Sequence, residues 1–348
     1  MFMRLVELSA AGNEASDLLP VHDEDLLAEL GARRAYWTVL DEGPVEQCLA
    51  LLVEQPDGGW RAEHVKATAG DHEGRTEDAE ALARLDGWVY VLGSHFGSKA
   101  GPLQPKRAFV ARFRESATPR LQIIRHRFAL HRAVNDALAA LAAIGHPAAP
   151  EPVRDVVHAG FVGEAVRRGT AKGKRWISQL AAGDHPVNIE GAAFTARGTL
   201  LAGLRWPVTA LGEPILVELT GVPGLFSGAE TLGVAGVYAL TGIGPGPLGV
   251  RALAARADGA YDVVVGSIDA LDKGSILLEQ HPDARDATCR HLRFELPGGT
   301  GPALVAPALI ADLAPLHHVE GVSERDGAPV YVADEDHRIA LWLQAGVP

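Results

Sequence analysis

Asn188-Ile189-Glu190-Gly191-Ala192-Ala193-Phe194, then Thr195-Ala196-Arg197-Gly198, then Thr199-Leu200-Leu201-Ala202-Gly203-Leu204-Arg205 is the stretch whose reading decides the fold. Alone it reads as a β-hairpin: two apolar runs around a turn that contains glycine. Its weight comes from recurrence. Ala79-Glu80-Ala81-Leu82-Ala83 with the strand-like 88–95 is a second copy. Val250-Arg251-Ala252-Leu253-Ala254 with 261–267 is a third, and Val319-Glu320-Gly321-Val322-Ser323 with 329–336 is a fourth. A worn copy starts at Ser16-Asp17-Leu18-Leu19 and returns through 36–41. Each copy has a polar or charged residue, a small one, apolar residues, a turn and a second strand.

Copies start about 60 residues apart, with one gap of about 110, a spacing that marks repeat arrays. Units that open on strands exclude helical solenoids. A propeller blade is a four-stranded antiparallel sheet, and the best unit supplies four strands at 189–194, 199–205, 214–220 and 236–240. The next is expected to use 250–255, 262–268, 274–279 and 290–296. The last copy has only 319–324, 330–333 and 339–343. The chain opens on the unpartnered strand-like run Met3-Arg4-Leu5-Val6-Glu7-Leu8, which is expected to complete that sheet and close the ring. Closure removes open sheet edges. The expectation is an all-β, five-bladed β-propeller in one domain over 1–348, with N- and C-terminal strand closure; a sixth blade in the long gap stays open.

The gap itself reads differently. Residues 128–144 carry apolar residues at helical spacing and stop at Gly145-His146-Pro147. With 153–168 and 176–182 they predict a helical insertion at about 128–186. It contains the most basic run, Arg167 to Arg175, readable as a solvated loop or as a phosphate-contacting lid. Residues 301–316 predict a second, shorter helical insertion. The acidic run Asp23-Glu24-Asp25 reads as a solvated loop.

Composition fits a turn-rich globular chain: 348 residues, 39 Gly and 22 Pro. The net charge of -12 argues against a general nucleic-acid or anionic-membrane partner. Two distant cysteines, Cys48 and Cys289, make neither a metal motif nor a disulfide framework. No basic-then-apolar leader is visible and no apolar run reaches the ~20 residues of a membrane helix, so a cytoplasmic location is expected.

Antiparallel geometry puts the start of a hairpin's first strand beside the end of its second. The five opening residues, Asp17, Glu80, Glu190, Arg251 and Glu320, should therefore converge on one rim of the central channel. Their partners there would be Asp41, Ser94 with His95, Arg205, Ser267, and Asp334 with Asp336. The insertions and the basic loop 96–107 emerge on the same rim, as loops that build sites commonly do. Crowded carboxylates need compensation. Three solutions are open: an ion-paired structural network through Arg251, a Ca²⁺ held by Asp17, Glu80, Glu190 and Glu320, or a catalytic carboxylate pair.

Gly93-Ser94-His95 with its basic loop, Asn188-Ile189-Glu190-Gly191 and Val319-Glu320-Gly321 resemble a bacterial family known only as a domain of unknown function, similar in style to esterase-like phytase propellers. The likeness spans most of 16–340. Ser16-Asp17-Leu18, Ala79-Glu80-Ala81-Leu82-Ala83 and Val319-Glu320-Gly321 more loosely resemble apyrase-type nucleotidases, five-bladed propellers with acids around a central Ca²⁺. Two functions are therefore carried forward. One is a metal-dependent hydrolase of a phosphorylated small molecule, with Glu190, Glu80, His95 and Arg205 catalytic and Arg205, His95, Lys99 and Arg251 binding the phosphate. The other is a non-catalytic propeller that binds a protein partner or ligand through its loop-bearing rim. No organic cofactor is indicated.

Overall fold

The computed structural model describes residues 3–10, 14–40, 43–229, 231–269, 274–335 and 338–344. Their strands form five sheets. The first blade is Ala15–Pro20, Arg34–Leu40, Leu49–Glu54 and Trp60–Val65. The second is Ala79–Leu85, Trp88–Gly93, Val110–Phe113 and Gln122–Ile124. The third is Asn188–Phe194, Leu200–Val208, Pro214–Thr220 and Gly233–Leu240.

The fourth blade departs from expectation. Its strands are Gly249–Ala255, Tyr261–Gly266, Arg290–Phe294 and Ala308–Asp312. The stretch expected as its third strand, 274–279, is instead a short helix, Ile276–Gln280. Ser275 caps it by accepting the Leu277 N–H at 3.2 Å, and Leu277 and Leu278 turn into an apolar cluster. The expected helix at 301–316 is also corrected. Ala303–Val305 adds a parallel fifth strand to the third blade, and Ala308–Asp312 finishes the fourth. Pro302, Pro307 and Pro315 interrupt that stretch, and a proline inside a helix removes a hydrogen bond and clashes with the preceding turn.

The ring closes as the repeats imply. Met3–Leu8 pairs antiparallel with Arg338–Gln344, Met3 opposite Gln344 and Leu8 opposite Ile339. That strand lies beside Ala328–Glu335, which pairs with the inner strand Val319–Arg325. The five inner strands then pack in a circle, each against the next and the last against the first. Five apolar clusters fill the seams between neighbouring blades. This explains strands such as Asn188–Phe194 and Leu49–Glu54 that are buried at every position: a neighbouring blade covers each face.

The insertion is helical, with Ala129–Ala143, Asp155–His158, a π-turn at Ala159–Gly163 and Glu164–Ala171. The acidic run is not a loop. Asp23 caps the helix Glu24–Glu29, accepting the Leu26 N–H at 2.8 Å, and Glu24 and Asp25 sit in its first turn. No helix among the described residues is long and apolar enough to cross a membrane.

Candidate functional site

In every blade the inner strand slips register against its neighbour at the repeat's polar position. The slips fall between Ser16 and Leu19, Ala79 and Ala81, Ile189 and Gly191, Val250 and Ala252, and Val319 and Gly321. Glu80, Glu190, Arg251 and Glu320 are thus the extra residues of four β-bulges, and Asp17 lies inside the fifth. A bulge bends the strand and re-aims a side chain. The small residue after it is equally constrained. A Cβ on Gly191 would lie 2.8 Å from Leu253 Cβ and 2.9 Å from the Leu253 nitrogen. One on Gly321 would lie 2.8 Å from the Asp17 carbonyl carbon.

Three of the five bulge residues meet directly. Arg205 Nη1 donates to Glu190 Oε1 at 2.6 Å, and its Nε donates to the Ser267 carbonyl at 3.3 Å. Arg251 donates to Glu320 Oε1 and sits 3.8 Å from Glu190 Oε2. Ser16 Oγ donates to Glu320 Oε2 at 3.1 Å, and Asn188 Nδ2 to Glu190 Oε1 at 3.2 Å. The Arg251 side chain is 1 % exposed and that of Glu190 5 %. Burial works against the Arg205 charge, but Glu190, Asp269 and Glu320 together hold its guanidinium above the usual range. Burial pushes the Glu320 carboxyl up despite Arg251.

Asp17 faces elsewhere. Its Oδ1 accepts the Leu18 N–H at 2.7 Å and its Oδ2 the Leu82 N–H at 2.6 Å, tying the first inner strand to the second. Burial pushes this carboxyl up to about 7, with the two amides partly offsetting it. Asp17 helps line a channel of about 530 Å³ walled by Leu82, Ala192 and Leu253. Glu80 is buried at its bulge. Among the described residues no group of three or more His, Cys, Asp or Glu side chains could hold a metal ion. Of the four acids expected to coordinate Ca²⁺, Asp17 turns to backbone amides while Glu190 and Glu320 bind arginines.

His95 is fully buried at φ +65°. Its Nδ1 meets the Gly93 carbonyl at 2.6 Å, and its Nε2 lies 2.7 Å from His126 Nε2, the two rings stacked. Burial pushes His95 down to about 4 and His126 well below its ordinary value. Ser94 donates to Asp78, which also pairs with Arg107 at 2.9 Å. Lys99 is exposed, and its carbonyl accepts the Ile276 N–H at 3.2 Å. Asp334 is partly buried and raises the Glu320 carboxyl. Asp41 and Asp336 lie outside the described residues.

A roof covers these groups. Phe96 and Leu103 from the basic loop pack with Phe128, Val157, Phe161 and Leu180 of the insertion, and with Leu277 and Trp206. The insertion at 128–186 and the loop 96–107 are folded into one apolar layer, whereas 301–316, also expected on this rim, supplies strands to the third and fourth blades. Asp78, Arg107, Asn188, Ser16 and His126 join the site without having been given a site role from the sequence. Asp78 lies two residues from a repeat position, which was the available signal. The partners of the others become visible only once register is known.

Fold and site together define a β-propeller with a buried acid–arginine axis under a helical roof. No family model and no curated protein matches the chain. Among solved structures it is similar to the GH43 β-1,3-galactosidase with galactodeoxynojirimycin, at 12% identity and TM-score 0.45, covering 94% of this chain and 90% of that one. It is similar to the endo-arabinase from Bacteroides thetaiotaomicron at 9% identity and TM-score 0.43, covering 98% and 97%. A glucose dehydrogenase gives 14% identity and TM-score 0.40, covering 99% and 100%. Likeness at this level carries no argument about activity, and the propeller rests on the strand pairings themselves.

Proposed function

We propose that this chain is a ligand-binding β-propeller that works through the rim bearing its insertions, and that the charged axis beneath is structural. One observation carries the reading: Glu190 and Glu320, which a reacting centre would need free, are bonded to Arg205 and Arg251 in a buried network. A general base must be within reach of the proton it takes, and the Glu190 side chain is only 5 % exposed and that of Glu320 16 %. His95 is occupied by Gly93 and His126. The insertions, by contrast, form an ordered platform on the outside of the same rim.

The test is Glu190→Gln, with chemical denaturation and a panel of phosphate and carboxylate esters assayed side by side. Breaking a buried ion pair leaves an uncompensated charge and costs about 3–5 kcal/mol. The expected result is a fall in stability of that order and no ester turnover in either protein. A variant that folds as well as the parent but loses a turnover the parent possesses would overturn the reading.

A further inference from the structure

We propose that the loop-bearing rim holds a site for a small molecule with two or more phosphate groups, in the cleft between residues 102–105 and the helix Glu164–Ala171. The inference rests on the reading of that rim as a binding surface and names its ligand. The cleft encloses about 570 Å³. Six cationic side chains line it, Arg125, Arg127, Arg168, Lys172, Lys174 and Arg175, and no carboxylate does. Arg168 is paired with Glu164 at 2.7 Å. The other five make no ion pair with any described residue. A chain of net charge -12 that gathers cations around one concavity and keeps acids out of it creates a local positive potential, which draws in anions.

Ordinary structural causes explain only part of this. Lys172 and Lys174 follow a helix C-terminus, where cations are favoured. Arg125 and Arg127 have no such reason: they come from the end of the second blade's outer strand and are more than 35 residues from the helix end in sequence. Arg125 Nε is buried without a hydrogen-bond partner. Burial, and then the positive charges of Arg127 and Arg75, hold its guanidinium below the usual range. An anion in the cleft would relieve this like-charge crowding.

The walls are already in place. Leu103 N–H donates to the Phe161 carbonyl at 3.2 Å, binding the loop to the π-turn. Gly101 lies so close to Gly160 that a Cβ on it would overlap the Gly160 carbonyl. The run Arg167 to Arg175 is not a loose loop. The helix reaches Ala171, and the Lys174 N–H returns to the Gly169 carbonyl at 2.9 Å around Gly173 at φ +58°. Trp176 packs on Gly169, where any side chain would collide with its ring, and forms an apolar wall. Arginine forks match phosphate oxygens bidentately and lysines add point charges. Five unpaired cations exceed the charge of one phosphate. A long nucleic acid would meet the acidic remainder of the surface, whereas a small molecule fits the cleft alone.

The experiment is calorimetric titration of the full chain at low salt with tripolyphosphate and, separately, ATP. Parent and Lys172→Glu/Lys174→Glu are compared, with Lys172→Gln/Lys174→Gln as the milder pair. Both lysines are exposed, so thermal melts should match the parent. The expected result is one equivalent bound, weakened by salt, with affinity lowered about tenfold or more in the Glu pair. Equal affinity for the two probes assigns the site to the phosphates alone. Tighter ATP binding that is lost in Trp176→Leu adds a ring contact to them. No binding of either probe, or binding unchanged in both lysine pairs, overturns the proposal. It would leave the rim reading standing, since that reading falls only on the Glu190→Gln result.

Discussion

At the axis, Arg205 and Arg251 each reach a carboxylate and are almost wholly buried. In the cleft, Arg127, Lys172, Lys174 and Arg175 are exposed, and no acid lines the space between them. Both regions concentrate charge on the same rim, and the solvent decides what each can do. A buried cation must find a charge partner inside the protein, because desolvation would otherwise exceed any gain; Arg251 has one in Glu320, while its Nε and Nη1 keep no hydrogen-bond partner among the described residues. An exposed cation keeps its hydration, costs little to leave unpaired, and stays available to an arriving anion.

The largest effect that would break this contrast is at Arg251, which faces both Glu190 and Glu320. Arg251→Met should cost about 3–5 kcal/mol in denaturant unfolding, and Arg251→Met/Glu320→Leu should recover much of it. A harmless single substitution would mean that the axis is not a charge-compensated network. Next is Gly191→Ala. Its Cβ would press on the Leu253 backbone, and overpacking of this kind costs about 1–3 kcal/mol; thermal melts should show the loss.

Asp17 sharpens the contrast through pH. Its folded value is raised to about 7, above the ordinary ~3.9 of an unfolded aspartate. Between those two values the folded state binds the extra proton, so Asp17 stabilises the fold at low pH and loses that contribution as pH rises towards about 7. The expected slope approaches about 1.4 kcal/mol per pH unit. Asp17→Asn should remove it, so the gap in stability between parent and variant should shrink or reverse on going from pH 4 to pH 7. The buried histidines act in the opposite sense. His95 and His185 are pushed down to about 4, so their contribution is lost as pH falls from about 6.5, and only the comparison with Asp17→Asn isolates the carboxyl. The smallest effect is Lys99→Ala. This exposed residue lies outside the cleft, so stability should move by less than about 0.5 kcal/mol and tripolyphosphate affinity should not change.

The ring was legible because a propeller writes its period into the chain. Glu80, Glu190, Arg251 and Glu320 recur at matching places, and Met3–Leu8 had no other strand to pair with. The meeting of Glu190, Arg251 and Glu320 followed from antiparallel geometry. That they sit on bulges did not, because a bulge is a property of pairing register and one chain read alone has no register. The same limit hid the arginines' choice of partners: sequence placed Arg251 among carboxylates without saying that it would face both Glu320 and Glu190. Ile276–Gln280 was misread because a short apolar run suits strand and helix alike, and Ser275 decides the matter by capping. The cleft was half legible. Arg167 to Arg175 stood out as basic, but Arg125 and Arg127 join it only through the fold.

Thermal unfolding with and without tripolyphosphate, on the parent, Arg251→Met and Lys172→Glu/Lys174→Glu, tests the division between axis and cleft most directly. A ligand that binds only the folded state raises the melting temperature. The account predicts that Arg251→Met melts lower but keeps the phosphate-induced rise, and that the lysine pair melts with the parent but loses it. An Arg251→Met protein that melts with the parent and has lost the rise would contradict the account, placing the phosphate site at the axis.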